Sequence, residues 1–151
     1  MHKISSKVVD HCLENDIGTI IIGKNKGFKE DIKLRKNDKQ SFVGIPYALF
    51  IKYLKYKSEA YGLTLIITEE SYTSKASFVD RDTLPVYNKK VRPDAFSGKR
   101  ISRGSYRTKN GMIINADCNA SGNIIRKVVP DAFKDRGDRG VVGTPYVLSI
   151  A

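Results

Sequence analysis

Two short apolar runs constrain this chain more than any other feature. Thr19-Ile20-Ile21-Ile22 lies between Gly18 and Gly23, and Leu63-Thr64-Leu65-Ile66-Ile67-Thr68 follows Gly62. Runs this short, rich in β-branched residues and closed by glycine, fit strands covered on both faces. Between them, Pro46 suits the first turn of a helix and Gly62 its end. On that helix Tyr47, Phe50, Leu54 and Tyr61 trace a core face, and Lys52, Lys55 and Glu59 trace a polar one. Ahead of the first run, residues 4–14 carry Ile4, Val8 and Cys12 at helical spacing, joined by Val9 and Leu13. A right-handed helical crossover between two strands makes them parallel. The expectation is an α/β fold.

A third apolar strand, Met112-Ile113-Ile114, leads into a helix patterned by Ile124, Ile125, Val128 and Val129 and stopped at Pro130. Asp117 sits at that junction, where a carboxylate either caps the helix or reaches out to a metal. On local pattern alone the cap is the commoner role. Asn119 and Asn123, four residues apart, share one helical face and can serve one site or one nucleic acid. Ligands of parallel sheets gather at the carboxyl ends of strands. Gly23, Glu69, Glu70 and Asp117 stand at such ends.

From Ser71 to Gly111 the periodicity stops. About 40 residues without it are too many for a plain connection, so this is an inserted subdomain or functional loop. It carries Asp80, Asp82, Pro85, Pro93 and the cations Lys99, Arg100, Arg103 and Arg107. Residues 23–29 form a basic turn rather than a phosphate loop, because the GxxxxGK[ST] spacing is absent. Glu30 to Gln40 is a charged exposed segment, Asp131 to Arg139 a polar tail, and Val141 to Ile150 a candidate edge strand.

Charge narrows the partner. The 151 residues hold 27 Lys and Arg against 16 Asp and Glu, a net charge of +11. Such a balance favours a polyanion, through release of counterions from phosphates. No run approaches the roughly 20 apolar residues that cross a bilayer, and Met1-His2-Lys3-Ile4 does not read as a signal peptide. Cys12 and Cys118 offer no disulfide framework, which suggests a reducing, cytoplasmic setting. His2 and His11 are the only histidines, both near the N-terminus, and give no context for a Ser-His-Asp or Cys-His site.

Three segments in fixed order resemble one family. They are Ile17-Gly18-Thr19-Ile20-Ile21-Ile22-Gly23-Lys24-Asn25, then Glu69-Glu70-Ser71-Tyr72-Thr73-Ser74-Lys75-Ala76-Ser77-Phe78, then Asn115-Ala116-Asp117-Cys118-Asn119-Ala120 through Asn123-Ile124. Together they resemble the C-terminal part of the TnpB (OrfB) proteins of insertion sequences, RNA-guided DNA endonucleases related to the Cas12 effectors. The resemblance runs from about Ile4 to Val129 and implies an RNase H-like (RuvC-like) domain, here partial, with an inserted, degenerate zinc-ribbon-like segment. It divides the chain into a first part of the core (1–70), the insertion, ribbon-like or target-nucleic-acid-binding (71–111), a final strand tip and helix (112–130), and a tail (131–151).

The resemblance also implies three carboxylates holding Mg²⁺ for phosphodiester hydrolysis, with DNA and a guide RNA as partners. Asp117 matches the third acid. The first lies upstream of this region, so a separate N-terminal half is an expected partner and the chain is expected to be incomplete alone. Gly23 stands where the second acid belongs, and Glu70 or Glu69 can supply it from the next strand. Lys75, Lys99, Arg100, Arg103, Arg107, Asn119 and Asn123 are the expected nucleic-acid contacts. Cysteine pairs that would follow Thr73-Ser74-Lys75 in a zinc-bearing ribbon are replaced around Ala76, Phe78 and Asp80, so no zinc is expected. The alternative reading is a nuclease-dead DNA- or RNA-binding remnant. A small RNA-binding protein unrelated to nucleases rests on charge alone.

Overall fold

The structure, a computed structural model, describes residues 1–24, 46–87 and 96–134. Apart from β3 and β4, the elements follow the order the periodicity predicts. They are α1 (His2–Glu14), β1 (Thr19–Gly23), α2 (Tyr47–Ala60), β2 (Thr64–Thr68), β3 (Lys99–Arg100), β4 (Ser105–Arg107), β5 (Ile113–Asn115) and α3 (Ala116–Val128). The basic turn from Asn25 to Lys29, the charged segment after it and the candidate edge strand Val141 to Ile150 lie outside the described residues. Among the described residues no helix is long and apolar enough to cross a membrane.

The chain divides into two compact units. The first takes in α1, β1 as far as Ile22, α2 and β2 as far as Ile67. The second takes in Gly23, Lys24 and the described residues from Thr68 onward. The inserted segment, β5 and α3 therefore share one unit.

β1 and β2 pair. Thr64 N–H donates to the Gly18 carbonyl at 2.9 Å, and Lys24 N–H donates to the Thr68 carbonyl at 2.8 Å. Both ends advance together, so the strands run parallel, as a crossover through α2 requires. Their isoleucines are half-buried rather than covered on both faces, and Ile67 is 49% exposed.

In the first unit, Val9, Cys12, Ile51 and Leu54 form the core where α1 packs on α2. Pro46 caps α2, and Gly62, at φ +72, takes the left-handed position after its last turn. The inward face of α2 differs from the aromatic stripe. Ile51, Leu54, Lys57 and Ser58 are buried, whereas Tyr61 is 61% exposed. Lys57 explains the rotation. Its ammonium donates to the His2 carbonyl (2.8 Å), Ser5 Oγ (2.9 Å) and Ser6 Oγ (2.6 Å), so a lysine fills an interior position with its donors satisfied.

The second unit is built on a three-stranded antiparallel sheet in the order β3-β4-β5. Register pairs Arg100 with Tyr106 and Tyr106 with Ile114 on one face, and Lys99 with Arg107 and Arg107 with Ile113 on the other. Tyr106, Ile114, Phe78 and Ala116 make its core, with Val79, Cys118 and Phe133 against them. α3 starts at β5 because Asn115 caps it. The Asn115 Oδ1 accepts from the Asp117 and Cys118 amides at 2.9 and 3.0 Å. Asp117 in the first turn and Arg126 and Lys127 in the last complement the helix dipole.

Candidate metal and nucleic-acid site

The capping role that Asp117 offers on local pattern belongs to its neighbour. Asn115 satisfies the orphan amides, which leaves the Asp117 carboxylate 82% exposed at the tip of α3. It pairs with Arg100 at 3.7 Å, an exposed pair of small energetic weight.

The two glutamates at the end of β2 have opposite fates. Glu69 is bound: its carboxylate accepts the Ser71 amide at 2.8 Å and pairs with Lys127 of α3, whose side chain is only 5% exposed. Burial pushes the Glu69 carboxyl up, but hydrogen bonds from Lys127 and Ser71 outweigh it, and the net position is below the ordinary value. Glu70 moves the other way. Burial raises its carboxyl, and the adjacent Glu69 charge raises it further. A perturbed carboxylate beside a differently perturbed one is a common mark of a functional site.

Gly23 gives Glu70 its place. A Cβ built on Gly23 would lie 2.7 Å from Glu70 Oε2, 2.9 Å from Glu70 Cβ and 2.8 Å from Ile124 Cδ1. The Glu70 side chain thus fills the volume that a side chain at the tip of β1 would need. Ile124 is seven residues, two turns, after Asp117 on α3, so the two share a stripe with about 10 Å of rise between their Cα atoms. Helical side chains lean toward the N-terminus, so the Ile124 tip leans toward the Asp117 end of that stripe. Among the described residues no group of three or more His, Cys, Asp or Glu is placed to hold a metal.

The shifts carry a pH signature. The Glu70 pKa in the fold lies above its unfolded value, so ionising Glu70 costs stability. Its contribution is fully present below the unfolded pKa and is lost as pH rises through the folded one. Glu70→Gln should therefore raise the melting temperature at pH 7. At about pH 3, below the usual glutamate range near ~4.3, it should change nothing. Glu69 has the reverse sign: its stabilisation is present at neutral pH and fades as pH falls through its lowered pKa.

Asn119 and Asn123 do meet at one site, but that site is the chain's own backbone. Both are 0% exposed. Asn119 Oδ1 accepts the Phe78 amide at 2.9 Å, and its Nδ2 donates to the Ala76 carbonyl at 2.8 Å. Asn123 Nδ2 donates to the Thr73 and Ala76 carbonyls at 3.0 and 2.8 Å, while its Oδ1 accepts from Arg126 at 3.0 Å. As solvent-facing contacts for a nucleic acid they are therefore corrected: buried amides spent on main chain cannot reach a phosphate or base. Gly122 completes the clasp, since a Cβ there would meet the Phe78 ring at 2.6 Å. The Tyr72-Thr73-Ser74-Lys75-Ala76-Ser77-Phe78 stretch and the Asn119–Asn123 stretch thus lock one another.

The cations remain outward. Lys75, Lys99, Arg103 and Arg107 are exposed. Lys99 and Arg107 are cross-strand neighbours on the outer face of the sheet, and the Lys75 ammonium lies 5.9 Å from the Tyr72 ring centre. Arg100 is exposed too, but its guanidinium turns onto the Ser102 carbonyl at 3.2 Å, the Arg103 carbonyl and Asp117. Sequence reading missed Lys127, whose pairing with Glu69 separates the roles of the two glutamates. Its place in the last turn of α3 was its only sequence signal.

No curated protein matches this chain. A family model does: Cas12f1-like, TNB domain, over residues 47–124, from the first residue of α2 through the Glu69–Phe78 stretch to Ile124 in α3. The match covers more than half of the chain and includes both halves of the clasp, so the chain belongs to the Cas12f1-like TNB domain family.

Proposed function

We propose that this chain is the C-terminal part of an RNA-guided, Mg²⁺-dependent DNA endonuclease of the TnpB and Cas12 type, with an RNase H-like core. Glu70 and Asp117 are its two metal-binding carboxylates here. The observation that carries the choice of Glu70 over Glu69 is the exchange at the tip of β1. Glu70 occupies the space freed by Gly23, while Glu69 is spent on Lys127. Hard carboxylate oxygens are the donors Mg²⁺ takes. When bound, the metal would activate water and stabilise the leaving oxygen of a phosphodiester. Lys75, Lys99, Arg103 and Arg107 hold the nucleic-acid backbone by charge, and they contribute the salt dependence of binding. Two acids are fewer than the three such a site uses, so activity requires the upstream carboxylate from another part of the protein or a second chain.

The experiment is Mg²⁺-dependent DNA cleavage by this chain supplied with the upstream portion and guide RNA. Outer-shell partners of a metal already cost roughly 10–100-fold when lost. Glu70→Gln and Asp117→Asn should each cost at least that in cleavage rate while DNA binding persists. Cleavage unchanged by both substitutions would refute the assignment. The second reading, a nuclease-dead binding remnant, draws support from the Arg100–Asp117 pair, which gives an acid a protein cation as partner. It expects salt-sensitive binding and no cleavage in any combination.

A further inference from the structure

A zinc ribbon ties turns and hairpins together through one ion, usually held by four thiolate or imidazole ligands. The ribbon-like segment of this chain has neither ligand type, as no cysteine or histidine lies between Cys12 and Cys118. What stands in that segment is a pair of aspartates whose carboxylates accept hydrogen bonds from remote parts of the chain. Asp80 Oδ2 accepts from Ser77 Oγ at 2.5 Å and from the Lys109 amide at 2.9 Å. Asp82 Oδ2 accepts the Ser77 amide at 2.7 Å and the Ser97 amide at 3.1 Å, and its Oδ1 accepts Ser97 Oγ at 2.5 Å. The Asp82 carbonyl accepts from Arg126 of α3 at 3.1 Å. Thr108 Oγ1, next to Lys109, is buried without a partner, but a neutral hydroxyl is no substitute for a thiolate at zinc.

Those bonds join four places distant in sequence: the turn at 77–82, the approach to β3 at Ser97, the β4–β5 connection at Lys109, and α3. A metal taken by Asp80 Oδ2 or Asp82 Oδ2 would compete with these charge-assisted hydrogen bonds. Tyr106 reports the same negative centre. Its hydroxyl, buried in the core and donating to the Lys75 carbonyl at 2.9 Å, has its pKa pushed up to about 12 by burial and then by Asp82 and Asp80.

We propose that Asp80 and Asp82 replace the ribbon's metal with a hydrogen-bonded carboxylate hub, so that this family member folds its insertion without zinc. The proposal rests on the ribbon-like reading of residues 71–111 and is independent of catalysis, because its readouts are stability and amide protection. The test uses the full chain, purified without chelator. Metal analysis should find no stoichiometric zinc, and neither EDTA nor added Zn²⁺ should shift the melting temperature. Asp80→Asn and Asp82→Asn, near-isosteric and suited to a folded variant, weaken bonds that are stronger for being charged. By hydrogen exchange they should lower protection of the Lys109 amide (Asp80) and of the Ser77 and Ser97 amides (Asp82) by roughly 10- to 100-fold. Protection of the α1 and α2 amides should stay put. Zinc bound one-to-one, a melting temperature lowered by EDTA, or unchanged protection in both variants would each overturn the proposal.

Discussion

Replacing Asn119 with alanine should cost the second unit about 2–4 kcal/mol in urea unfolding. The side chain makes two hydrogen bonds in a site with no exposure, and its loss strands the Phe78 amide. A buried donor left without a partner costs about 1–3 kcal/mol, and the cavity left by the amide adds to that. Asn119→Asp should be worse still: it keeps the acceptor for Phe78 but sets an unpaired carboxylate against the Ala76 carbonyl. Asn123→Ala should cost a similar amount, and the double variant more than the sum, because both asparagines donate to Ala76 and only the loss of both strands its carbonyl. If Asn119 instead served a nucleic acid, alanine would leave unfolding untouched and lower only DNA affinity.

The second large effect concerns the tip of β1. Gly23→Glu puts a carboxylate where the family resemblance expects one, yet it should destabilise the protein by about 1–3 kcal/mol, the usual cost of overpacking. Its Cβ alone would come within 3 Å of Glu70 and Ile124, and two carboxylates would then compete for one space. Combining Gly23→Glu with Glu70→Ala should recover most of that loss and, under the proposed activity, restore the Mg²⁺-dependent cleavage that either single substitution impairs. Additive unfolding energies for the pair, measured as a double-mutant cycle, would show that the two positions do not share one volume.

Periodicity made most of the fold legible. α1, β1, α2, β2, β5 and α3 all announce themselves by apolar spacing, and their stops at Gly62 and Pro130 are written in residue type. Residues 71–111 gave no such signal, because their strands are two or three residues long and their turns are held by remote side chains. Asp80, Asp82, Asn119 and Asn123 act on backbone groups far away in the chain, and spacing does not register such bonds. The same blindness hid Lys57, polar by pattern yet buried by three acceptors on α1. At the candidate site, sequence singled out Glu69 and Glu70 but left the two equivalent. Lys127 and Gly23 separate them, one by charge and the other by an absent side chain.

Titration of the ¹⁵N-labelled chain with Mn²⁺, a paramagnetic stand-in for Mg²⁺, tests the central claim that Glu70 and Asp117 share a cation. The amides of Gly23, Glu70 and Asp117 should broaden together, and Glu70→Gln should abolish the effect at all three. Broadening at Asp117 that survives Glu70→Gln, or none at Glu70, would contradict a shared cation.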